Sequence, residues 1–101
     1  MVHLARVEDV DVNVHLIRTD GREERVDIPF RDIEKAIGAR GMDSVNLRDG
    51  RVMLVDDMGH VIEPRPPINA KATKLYWSVC VPGTTHVIVG DVAIVIDAEV
   101  A

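Results

Sequence analysis

From residue 10 to residue 16 apolar and polar side chains alternate, with Val10, Val12, Val14 and Leu16 set against Asp11, Asn13 and His15. A period of two is the signature of a strand buried on one face. Asp20-Gly21 supplies a tight turn because glycine takes positive φ without a steric penalty, so residues 23–28 are predicted to return as the second arm of a hairpin. Pro29 then ends the strand, and Phe30, Ile33 and Ile37 recur at spacings of three and four, the pattern of a short helix stopped by Gly38. About two turns long, such a helix depends on packing more than on its own propensity. Alternation resumes over 42–48, Asp49-Gly50 predicts a second hairpin, residues 52–56 return, and 60–62 are expected to continue as a short strand.

Pro64-Arg65-Pro66-Pro67 removes three backbone donors and imposes extended geometry, which makes it a connector. Asn69 is a preferred N-cap type, and Ala72, Leu75, Tyr76 and Val79 follow at helical spacing, so a second helix is predicted over 69–78. Pro82-Gly83-Thr84-Thr85 ends it. The last strands, 87–89 and 92–96, are apolar at both parities, unlike the earlier ones, and both of their faces must be covered. The cover is either a helix or a second copy of the chain, since an open strand edge of this kind invites pairing; a homo-oligomer is one of the two expectations. Together these elements predict one domain of the α+β class: a mainly antiparallel sheet of five to seven strands with two short helices, with residues 1–9 as a loose lead-in, 10–28 as an N-terminal hairpin and 30–97 as the remaining core.

Size and composition agree with that plan. A chain of 101 residues buries roughly two-thirds of its unfolded surface. Aromatic residues are only 3%, namely Phe30, Tyr76 and Trp77, so the core is aliphatic. A formal net charge of −5 argues against whole-surface attraction to nucleic acid or to an anionic membrane. The single Cys80 rules out an internal disulfide, no N-terminal segment has the form of a signal peptide, and no apolar run is long enough to span a bilayer, so the expected location is the cytoplasm.

Asn69-Ala-Lys-Ala-Thr-Lys-Leu-Tyr followed by Ile88-Val89-Gly90-Asp91-Val92-Ala93-Ile94-Val95 resembles a small family of domains of unknown function encoded by bacteriophages and plasmids. The resemblance covers about residues 30–96 and includes a preceding strand pair of the kind 45–47 and 52–59; the hairpin over 10–28 lies outside it. It implies an accessory protein that meets a host factor, in some cases beside antirestriction functions, and it implies no defined activity.

The candidate chemistry is sparse. Arg65, Asn69, Lys71 and Lys74 surround the N-terminus of the second helix, where unpaired N–H groups carry partial positive charge; lysines there are disfavoured unless an anion compensates. With Thr84 and Thr85 they form a candidate site for an anion such as a nucleotide-type small molecule; the alternative is a capping asparagine with solvated lysines and plain turn threonines. Asp56-Asp57 are neighbours on a predicted strand and are expected to point to opposite faces. His3, His15, His60 and His86 lack the spacing of a metal site, and no metal or other cofactor is expected. Cys80 between Val79 and Val81 reads as a small buried hydrophobe. No nucleophile elbow, phosphate loop or dinucleotide fingerprint occurs. A hydrolase using Asp91, His86 or Cys80 and a mimic of DNA are the weaker alternatives. The leading expectation is a non-enzymatic protein that binds, blocks or sequesters a host factor, with Trp77, Val87, Val89 and Val95 as interface residues; a sponge for an anionic molecule is the runner-up.

Overall fold

The computed structural model describes residues 10–96. Five strands, β1 (Asp11–Ile17), β2 (Glu23–Pro29), β3 (Met42–Asn46), β4 (Arg51–Asp56) and β5 (Val92–Ile96), and two helices, α1 (Ile33–Ala36) and α2 (Ala70–Ser78), make an α+β fold. The sheet runs β2-β1-β5-β4-β3, and every neighbouring pair is antiparallel. The two hairpins β1–β2 and β3–β4 therefore lie side by side, and the last strand is inserted between them. A packed layer on each face of the sheet meets it there, which is why β5 is apolar at both parities. Val92, Ala93, Ile94 and Val95 are all buried, and β1 and β4 occupy both of its edges. The open edges of the sheet belong to β2 and β3 instead.

Each face of the sheet carries one layer. On the first face Val12, Val14 and Leu16 of β1, Val52 and Leu54 of β4, and Ala93 and Val95 of β5 pack with Ile33 and Ile37. On the second, Ile17, Met53, Val55, Val92 and Ile94 pack with Ala72 and Ile88, and with the half-buried Leu75, Tyr76 and Val79. Helix α1 is only four residues long and ends as its sequence dictates. Gly38 takes φ +67°, its N–H donates to Lys35 O, and the N–H of Ala39 donates to Glu34 O, which closes a Schellman cap. At the β3–β4 turn Asp49 and Gly50 take φ values of 64° and 73°, the two left-handed residues of a type I′ turn.

The open edge of β3 is partly blunted. Leu47 N donates to Arg51 O and Asp57 N to Gly41 O, so in this register the odd-numbered residues bond to β4 and Met42, Ser44 and Asn46 turn their backbone groups outward. The Ser44 N–H is taken at 2.8 Å by the carboxylate of Asp43. A capped edge donor is one less template for a foreign strand.

Two predicted strands are absent. Residues 60–62 form turns, with the N–H groups of Val61 and Ile62 both donating to Met58 O. Residues 87–89 make a single bridge, Ile68 to Val89. Asn69 N to Ile88 O at 2.8 Å and Gly90 N to Pro67 O at 2.9 Å are the bonds of that bridge, and the next ladder bond, Ile88 N to Asn69 O, is not made: Ile88 N donates to Thr73 Oγ1 at 2.9 Å and Asn69 O accepts from Thr73 N at 2.9 Å. Helix α2 and its cap have taken the bonds that a ladder would use. The lead-in over 1–9 lies outside the described residues.

Candidate functional site

Helix α2 crosses the second face diagonally, from the β1–β2 turn, where Lys71 bonds Gly21 O, to the β3–β4 turn, where Arg48 Nη2 donates to Ser78 O. Asn69 caps its start as predicted, accepting from Ala72 N at 3.1 Å. Its amide also donates to Ile17 O and Gly90 O, each at 3.0 Å, and the residue is 1% exposed. With the oxygen and both amide hydrogens engaged inside the protein, Asn69 is a keystone between β1, the 90-turn and α2, not a surface ligand.

The other members of the predicted anion site are not brought together. Lys71 Nζ lies 2.6 Å from Glu23 Oε2, so the compensating anion is a neighbouring side chain; hydrogen bonds from Lys71, and then from His15, hold the Glu23 carboxyl below its ordinary value. Lys74 is exposed. Arg65 reaches toward His60 O at 3.4 Å. Thr84 bonds Val81 O through its hydroxyl at 2.8 Å in the turn that follows the helix, and Thr85 is exposed beside it, so both sit beyond the opposite end of α2 from Asn69.

The interface residues divide in the same way. Val89 and Val95, at 2% and 1% exposure, are core and can touch no partner; the cover that their apolar segments require is supplied within the chain, which removes them from the expected interface. Val87 is half-buried and gives its carbonyl to His60. Trp77 is 43% exposed while Tyr76 turns inward, as the helical separation of about 100° per residue requires. Cys80 is half-buried, and its hydrogen bond with Tyr76 pushes that phenol up from its ordinary value, with burial adding to the shift.

Trp77 is surrounded by ring and carbonyl contacts. The indole Nε1–H donates to His86 O at 2.7 Å. The His86 ring lies edge-on to Tyr76 at 5.9 Å and against His60 at 4.6 Å between ring centroids. His60 in turn donates Nε2–H to Val87 O at 2.9 Å, the only role that a carbonyl partner leaves it. A row of rings thus ties the 57–62 turns to the 84–89 segment. Between them opens a groove of about 250 Å³ with a floor of Val55, Ile88 and Val89, the two histidines on one side, and Asp43, Asp56 and Asp57 on its rim. Asp56 and Asp57 share this groove because β4 ends at Asp56 and the chain turns there, so the strand alternation expected of them no longer applies.

Gly59 seats the turn against the floor. A Cβ on this residue would fall 2.7 Å from Val89 Cγ2 and 3.4 Å from Asp56 O. Gly59→Ala is expected to cost about 1–3 kcal/mol as an overpacked contact and to shift the His60 ring resonances, both readable by urea denaturation and NMR. An unaltered His60 with unaltered stability would show that the turn is not seated this way.

The spacing of His60, His86 and Asp43 along the chain gives no sign that they meet; only the fold brings them together. Among the described residues no group of three or more His, Cys, Asp or Glu side chains is arranged to hold a metal ion, and no helix is long and apolar enough to cross a membrane. Comparison with protein-family models, curated proteins and solved structures returns no match for this chain.

Proposed function

We propose that this chain is a non-enzymatic binding module that acts in the cytoplasm by engaging and blocking a partner protein through the face formed by Trp77, His86, His60 and the adjoining groove. The observation that carries the reading is Trp77 itself. A large aromatic side chain is left 43% exposed, yet it is fixed in place by a 2.7 Å hydrogen bond beside a concave surface. Such pre-fixed, half-exposed aromatic anchors beside a pocket are where interface energy concentrates. Val61, on the 57–62 turns, extends the apolar surface at 68% exposure, and Val81, in the turn between Trp77 and His86, is 76% exposed.

The size of the groove supports a protein partner over a small molecule. At about 250 Å³ it is below the roughly 300–1,000 Å³ of sites that enclose a drug-sized ligand or cofactor, and it suits the insertion of one side chain. The resemblance to accessory proteins of phages and plasmids makes a host protein the proposed target, and counter-defence the proposed setting.

The test is capture of the target on the immobilised protein, its identification by mass spectrometry, and calorimetric titration of the pair. Trp77→Ala is expected to weaken binding by about 30-fold or more, the loss of an anchor worth about 2 kcal/mol. The variant should keep its cooperative thermal transition. A Trp77→Ala protein that binds its target undiminished would remove the proposal.

A further inference from the structure

We infer that the groove beside Trp77 receives a lysine or arginine side chain projecting from an apolar segment of the partner protein. The inference rests on the reading of this face as an interface and adds the chemistry of what enters it. Two features of the groove point the same way. Its floor of Val55, Ile88 and Val89 is apolar, and its rim carries the carboxylates of Asp43, Asp56 and Asp57, with no lysine or arginine in the lining. A long basic side chain is the residue type that buries an aliphatic stem while presenting a charged head to acceptors.

The carboxylates are also unspent. Some acidic groups elsewhere have cations, with Asp20 on Arg22, Glu23 on Lys71, and Asp91 and Glu24 sharing Arg18, while Asp11, Asp27, Glu34, Asp49 and Glu63 have none among the described residues but do not line the groove. The three groove aspartates form no ion pair among the described residues. Asp43 uses Oδ1 on Ser44 N, Asp56 uses Oδ1 on Met58 N and at 3.5 Å on Arg40 N, and the Oδ2 atoms are left to accept from outside. Three like charges around one concavity raise the local potential for a cation, and in a chain of net charge −5 the surrounding field adds to it. Complementary charge of this kind fixes register and speeds encounter. The exposed indole and valines alongside then meet the apolar neighbours of the basic residue.

The experiment titrates the full ¹⁵N-labelled chain with the blocked peptide Gly-Leu-Arg-Leu-Gly and, separately, with Gly-Leu-Glu-Leu-Gly at low salt. The arginine peptide is expected to produce saturable shifts of the Trp77 indole N–H and of the Asp57 and His86 amides at millimolar concentration. The glutamate peptide should produce none. The double variant Asp43→Asn, Asp57→Asn keeps the side-chain shapes and the Ser44 cap, and should weaken the arginine peptide about tenfold, the loss of charge-assisted bonds. Equal responses to the two peptides, no response to either, or an unweakened double variant would overturn the inference. Failure here is separable from failure of the interface itself: a captured partner that is lost with Trp77→Ala but unaffected by the double variant leaves the interface standing without its basic residue.

Discussion

Asn69→Ala should lower the stability of this protein by about 3 kcal/mol, enough to move the melting temperature by roughly 10–20 °C in a domain of this size. The estimate joins two losses. Removing an N-cap costs about 1 kcal/mol. Leaving Ile17 O and Gly90 O without the Asn69 amide, in a position that is 1% exposed, costs about 1–3 kcal/mol more. The companion variant decides which loss matters. Aspartate caps helices as well as asparagine does, so Asn69→Asp would be neutral if capping were the whole role. In this structure it would instead aim a carboxylate oxygen at two carbonyls that now accept at 3.0 Å, and it is expected to be at least as damaging as Asn69→Ala. Urea denaturation of both variants is the measurement; a stable Asn69→Asp protein would reduce the keystone to a cap.

Ile33→Ala is expected to cost about 2–5 kcal/mol, the range for a large buried aliphatic cut to alanine. Helix α1 has four residues and no side-chain cap, so its stability is tertiary. Ile33, fully buried, and Ile37 hold it to Val12, Val14, Leu16, Val52, Leu54, Ala93 and Val95. Loosening α1 also disturbs Arg18, whose guanidinium donates to Ala36 O at 2.8 Å and to Asp91 at 3.0 Å. Because this layer lies across the sheet from α2, the Trp77, His86 and His60 resonances should move little below the unfolding transition. A small stability change, or a large change in those resonances, would contradict the two-layer description.

These two residues also show what local pattern can and cannot reveal. The spacing of Ile33 and Ile37, the stop at Gly38, the two Asp-Gly turns and the cap at Asn69 are each decided within a few residues, and each is present in the structure. Even the double parity of residues 92–95 carries its meaning, since the sheet has a packed layer on each face and β5 is covered by both. Residues 87–89 have the same apolar look yet are not a strand, because the Ile88 N–H is claimed by the Thr73 hydroxyl and the Val87 carbonyl by His60, both far away in sequence. Apolar periodicity reports burial and is silent about which donor meets which acceptor.

The candidate site was legible in one residue. Trp77 stands out as the outward member of an adjacent aromatic pair on a helix. Its companions do not: His60 and His86 are 26 positions apart and approach only because the 57–62 turns and the 84–89 segment close over the same end of the sheet. Lys71 misled for the opposite reason. Its charge at a helix start does call for an anion, but the anion is Glu23, 48 residues away and delivered by the β1–β2 hairpin.

The most direct measurement of the central claim is site-specific photocrosslinking in host cells, with Val81→p-benzoylphenylalanine placed in the exposed turn that leads from Trp77 to His86 and Arg31→p-benzoylphenylalanine on the far side of the sheet as the reference. The account predicts a discrete adduct with a host protein from position 81, lost when Trp77→Ala is added, and none from position 31. An adduct of equal yield from position 31, or one from position 81 that persists without Trp77, would contradict it.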